Sequence, residues 1–128
     1  MHQRKQQIIV VVEDDAGMRD SLGFLLETHG FEVAAFGSPE EFLAEFAEID
    51  AGCVIFDVHL PGTDGLALYE RLLSQGRSGP AIFITGRIDD QIRNQATNLH
   101  AIALLEKPFS DDALLAAVAL ALEAPRHR

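Results

Sequence analysis

The 128 residues predict an α/β fold, a (βα)5 doubly wound parallel five-stranded sheet. Strand-like and helix-like segments alternate five times along the chain, and helix-length crossovers between strands mean βαβ units with parallel pairing. Two of the strand-like runs, Ile8-Ile9-Val10-Val11-Val12 and Cys53-Val54-Ile55-Phe56, are apolar without interruption, as strands covered on both faces are. Acidic residues stand directly after both runs, where open parallel sheets bind their ligands.

The strands are expected over 7–12, 32–36, 52–57, 80–85 and 102–106, and the helices over 15–29, 38–48, 64–75, 89–98 and 110–123. The first helix puts Met18, Leu22, Leu25 and Leu26 on its inner side, takes Asp15 as N-cap and stops at Gly30, a good residue just past a helix end. In the second, Ser38-Pro39-Glu40-Glu41 reads as a capping box, with proline at the first helical position, and Phe42, Phe46 and Ile49 share one face. The third carries Leu66, Tyr69, Leu72 and Leu73 on one side and ends near Gly76. The fourth, 89–98, has one large apolar residue, so it should bury little and be short, exposed or mobile. In the fifth, Leu115, Val118 and Leu122 form one apolar row, expected to pack on the sheet, and Ala113, Ala117, Leu120 and Ala121 a second, expected to face outward toward a partner. A helix apolar nearly all round is normally covered on more than one side.

Composition narrows the function classes. The length suits one domain over 1–128, with a folded core over about 7–123 and flexible ends. No apolar stretch approaches the roughly 20 residues of a membrane span, and the start lacks the apolar core of a secretory signal. A single cysteine, Cys53, allows no internal disulfide, so the expected compartment is cytoplasmic. Net charge is −10; Arg4, Lys5, Arg126 and Arg128 lie in the end segments, which leaves a body with 6 basic and 20 acidic residues. A polyanion would be repelled by that body, so neither nucleic acid nor a membrane is expected as a partner of this chain alone.

Five strand ends converge on one edge of such a sheet, and four of them offer reactive groups: Glu13 and Asp14, Asp57, Thr85, and Lys107. Two carboxylates about 4 Å apart repel by roughly 4 kcal/mol at an effective dielectric near 20. Three together therefore suggest a divalent cation, and oxygen-only ligands point to Mg²⁺, Mn²⁺ or Ca²⁺. Taken in order, the acidic pair after the first strand, Asp57-Val58-His59-Leu60-Pro61 with Gly65 eight residues after the aspartate, Thr85-Gly86, and Lys107-Pro108-Phe109 resemble the receiver domain of bacterial two-component response regulators. The resemblance runs from about Ile8 to Leu122. The stretches Ser38–Leu43, Phe83–Gly86 and Glu106–Phe109 look most like receivers of the nitrogen-fixation subfamily, whose output is a helix-turn-helix domain.

That resemblance implies a flavodoxin-like sheet with strand order 2-1-3-4-5, and a signalling switch rather than a conventional enzyme. Asp57 would accept a phosphoryl group from a histidine kinase or phosphotransfer protein. Asp14, Asp57 and the main-chain carbonyl of His59 would hold Mg²⁺ (Mn²⁺ as an alternative), with Glu13 acting through water. Lys107 would pair with a phosphoryl oxygen, Thr85 would bond another after phosphorylation, and Lys107-Pro108 would be a cis peptide. Slow self-hydrolysis would return the switch to rest. Three departures lie on the family's output face. Leu104 stands where receivers usually carry Tyr or Phe, His100-Ala101 replaces the common Gly-Ala, and the fourth helix is unusually polar. With the second apolar row of the fifth helix, they suggest a phosphorylation-dependent homodimer through the fourth helix, fifth strand and fifth helix.

Other readings fit less well. An interaction-only pseudo-receiver would be favoured if Asp14, Asp57 or Lys107 were missing, and all are present. A phosphatase with an aspartate nucleophile would need a second aspartate where His59 stands, and a dinucleotide-binding domain a Gly-rich turn in place of Glu13-Asp14-Asp15.

Overall fold

The alternation read from the sequence is present in the computed structural model, which describes residues 8–47, 49–77 and 79–124. The expected element ends at 7 and 48 and the basic residues Arg4, Lys5, Arg126 and Arg128 lie outside the described residues. In chain order the elements are β1 (Ile8–Val12), α1 (Ala16–Thr28), β2 (Glu32–Phe36), α2 (Pro39–Phe46), β3 (Ala51–Asp57), β4 (His59–Leu60), β5 (Thr63–Asp64), α3 (Gly65–Ser74), β6 (Ala81–Thr85), α4 (Asp90–Asn98), β7 (Ala103–Glu106) and α5 (Asp111–Glu123). Five strands form one sheet in the order β2-β1-β3-β6-β7, with parallel pairing throughout. Counting sheet strands alone, this is the expected 2-1-3-4-5. The two-residue antiparallel pair of β4 and β5 has no periodicity to betray it in the sequence.

Strand residues alternate between two cores, which is why the runs read as apolar throughout. Val10, Val12, Val54, Phe56 and Phe83 pack with Phe42, Leu66, Leu68, Tyr69, Leu72, Ile92 and Ala96 of α2, α3 and α4. Ile9, Val11, Cys53, Ile55, Ile82 and Ile84 pack with Leu22 and Leu26 of α1 and Leu114, Ala117, Val118 and Ala121 of α5. Burying α5 through that last set corrects the face expected for it: Ala117 and Ala121 meet the sheet rather than the outside, Leu115 and Leu122 are only partly covered, and Leu120 remains 58% exposed. Because alanine fits against the sheet as readily as leucine, periodicity alone did not decide between the two rows.

Each of the five helices among the described residues opens on a side-chain cap. Asp15 accepts from the Gly17 and Met18 amides, Ser38 from Glu41, Asp64 from Ala67, Asp89 from Ile92 and Ser110 from Ala113, satisfying amides that the helix leaves orphaned. The expected capping box is only half formed, since the Glu41 carboxylate accepts from the Gly37 amide, one residue before the cap. Three helices close by the same motif. After α1, α3 and α4 the residue past the cap has positive φ (Gly30 at 89°, Gly76 at 73°, His100 at 58°), and the next amide reaches back to the helix: Phe31 to Leu26 O, Arg77 to Leu72 O and Ala101 to Ala96 O. The polar α4 buries Ile92 and Ala96, so it is short and largely exposed, as expected.

Candidate functional site

Strand register brings the reactive groups level. Val12 pairs with Phe36 and with Phe56, Asp57 with Ile84, and Thr85 with Glu106, so the residues that follow β1, end β3 and β6, and follow β7 share one edge of the sheet. The Glu13 amide extends the β1–β2 ladder by one bond, to Phe36 O at 3.0 Å, and the Lys107 amide bonds Thr85 O at 2.7 Å. Lys107–Pro108 is cis, as expected.

Glu13 is fully buried and Asp57 nearly so, while Asp14 is exposed. A carboxylate oxygen from each of the three lies within 4.8 Å of the others. Lys107 joins two of them, with its Nζ 2.9 Å from Glu13 Oε1 and 3.2 Å from Asp57 Oδ2. The remaining Glu13 oxygen accepts from the Asp15 amide at 3.0 Å, and Asp57 Oδ1 accepts from the His59 amide at 3.0 Å. His59 thus meets the site through its main chain, and its residue is exposed. Burial raises the Glu13 carboxyl above its usual range, with the neighbouring Asp57 adding to the shift against the Asp15 amide and Lys107. Burial alone would lower Lys107, but its bond to Glu13 and the charges of Asp57 and Glu13 outweigh that and raise it, so it stays an ammonium at neutral pH.

Thr85 is fully buried and its hydroxyl faces its own loop, donating to Arg87 O at 3.2 Å and accepting from the Arg87 amide at 3.3 Å. Gly65 is required for packing: a Cβ there would overlap the Asp57 carbonyl oxygen and stand 3.0 Å from Phe56 Cβ. Gly86, by contrast, faces open space, so no close approach demands it. Reading the sequence missed Arg19, half-buried, whose Nη1 donates to Glu13 O at 2.8 Å; an arginine among polar helix residues carries no local signal of that bond. An all-oxygen, acid-rich donor set of this size suits a hard divalent cation, and receiver domains hold Mg²⁺ through acidic residues of this kind.

Aspartate, lysine and threonine at three strand ends of a 2-1-3-4-5 parallel sheet, with an acidic pair beside them, form the arrangement that the resemblance to receiver domains implies. The family described as response regulator receiver domain matches residues 9–119, and the chain belongs to it. Among curated proteins it resembles the transcriptional regulatory protein FixJ of Bradyrhizobium diazoefficiens, 42% identical over 89% of this chain and 56% of that protein. It also resembles nodulation protein W of the same organism, 42% identical over 94% of this chain and 53% of that protein. The chain thus spans about half the length of these curated relatives. Of solved structures, FixJ-N superposes with a TM-score of 0.87 at 30% identity, covering 98% of this chain and all of that one. The resemblance to the nitrogen-fixation subfamily is therefore borne out.

Proposed function

We propose that the chain is a single cytoplasmic phosphoacceptor receiver in which Asp57 takes a phosphoryl group from a phosphohistidine on a kinase or phosphotransfer protein. The Lys107 ammonium, held between Glu13 and Asp57, is the observation that supports this most directly. A lysine with a surface role has no reason to approach two buried carboxylates. In the transfer one Asp57 oxygen attacks phosphorus as the bond from phosphorus to the donor imidazole breaks; the imidazole leaves with the electron pair and takes a proton from solvent. Asp14, Asp57 and the His59 carbonyl would hold Mg²⁺ or Mn²⁺, with Glu13 through water, and the ion would offset charge on the moving phosphoryl. Lys107 then pairs with one phosphoryl oxygen, and Thr85 exchanges its bonds to Arg87 for another. Slow hydrolysis of the acyl phosphate resets the switch.

The output is a phosphorylation-dependent homodimer formed through α4, β7 and α5. Leu120 is exposed on this face, and Leu104 lines a groove with Ile88, Arg93, Ala96, Thr97, Ala101 and Ala103. Beryllium fluoride with Mg²⁺, which mimics the phosphorylated aspartate, tests both halves. Amide shifts at Thr85 and Lys107 together with a concentration-dependent rise in mass by light scattering are expected. No shifts at those residues would overturn the phosphoacceptor reading, and a strict monomer, or a dimer indifferent to Leu120→Asp, would overturn the dimer.

A further inference from the structure

The main-chain carbonyl of Glu13 lies just past the last paired residue of β1, and Arg19 takes it with the 2.8 Å bond from Nη1. Arg19 stands early in α1, where its own amide bonds Asp15 O at 2.9 Å. Its guanidinium fills the notch left by Gly37: a Cβ at Gly37 would lie 2.9 Å from Nη1 and 3.4 Å from Cζ. The Gly37 amide donates in turn to Glu41 Oε1 at 3.0 Å. One guanidinium therefore touches the ends of both β1 and β2 at the start of the loop that bears the acids.

The Glu13 carbonyl and the Asp14 amide are opposite ends of one rigid peptide plane. Whatever holds that oxygen also sets the direction from which the exposed Asp14 side chain departs. We propose that Arg19 is a positioning residue for the acidic cluster, fixing the Glu13–Asp14 peptide so that the Asp14 carboxylate meets those of Glu13 and Asp57. This rests on the phosphoacceptor reading above, in which Asp14 is a direct ligand. Partners that orient a ligand from behind typically contribute 10- to 100-fold to metal affinity.

Charge alone gives the opposite sign, which makes the proposal testable. Removing a cation from beside three carboxylates should tighten Mg²⁺ binding, whereas losing a positioning bond should weaken it. The full chain is titrated with Mg²⁺ by amide NMR as wild type, as Arg19→Met, which keeps the stem and loses the donors, and as Arg19→Lys, with thermal midpoints measured alongside. Arg19→Met is expected to bind Mg²⁺ about tenfold more weakly and to shift the Asp14 and Asp15 amides before any metal is added, and Arg19→Lys to recover most of the affinity. If Arg19→Met does not fold, Gly37→Ala, which displaces the guanidinium but keeps its charge, carries the same expectation. Wild-type affinity or tighter in the variant, with the wild type binding Mg²⁺ and labelling at Asp57 when incubated with acetyl phosphate, overturns the positioning role alone. A wild type that neither binds Mg²⁺ nor labels overturns the phosphoacceptor reading, and this proposal with it.

Discussion

Asp57 reaches its position by being the last residue of β3, where the main chain is paired with β6 and the side chain already opens on the sheet edge. Its neighbours then divide its two oxygens, one to the His59 amide and one to Lys107, so the carboxylate is held still before any ligand arrives. Gly65 keeps that arrangement by allowing α3 to begin against the Asp57 carbonyl. Gly65→Ala should therefore cost about 1–3 kcal/mol, as overpacking does, and urea denaturation would show it as a lower midpoint. A midpoint unchanged from wild type would mean that the contact relaxes freely. Cys53 illustrates the opposite kind of residue: burial pushes its thiol up to about 12, which makes it a small core side chain and no nucleophile.

At the scale of elements, α4 closes with a residue that its two counterparts do not use. Gly30 and Gly76 adopt the left-handed cap without strain, but His100 carries a Cβ into the same conformation at φ 58°. His100→Gly should therefore raise stability by about 1 kcal/mol, or roughly 3 °C in thermal midpoint for a domain of this size. A loss instead would show that the imidazole makes contacts outweighing the strain. Helices and strands were legible because their caps and apolar spacing are local properties of the chain. What escaped was set by neighbours far away in sequence: the sheet-facing row of α5, the β4–β5 pair and the tie from Arg19 to Glu13. The reactive set at the strand ends was legible for a related reason. Carboxylates directly after fully apolar strands have few structural explanations, and the parallel topology brings every such end to one edge.

For the molecule as a whole, acidity is concentrated where it is least tolerable without a counter-ion. Lys107 offsets two of the three clustered carboxylates, and a divalent cation bound only by the folded chain should add to stability by mass action. At ten times its dissociation constant the gain is about 1.4 kcal/mol. The thermal midpoint should climb with Mg²⁺ concentration in the wild type and stay flat in Asp14→Ala, and a parallel climb in both would place the cation elsewhere. The described residues include no helix long and apolar enough to cross a membrane. The proposed switching depends on Asp57 accepting phosphorus. Intact-mass spectrometry after incubation with acetyl phosphate and Mg²⁺ reads this directly: one added phosphate is expected in the wild type and none in Asp57→Asn, and equal labelling of both chains would contradict the account.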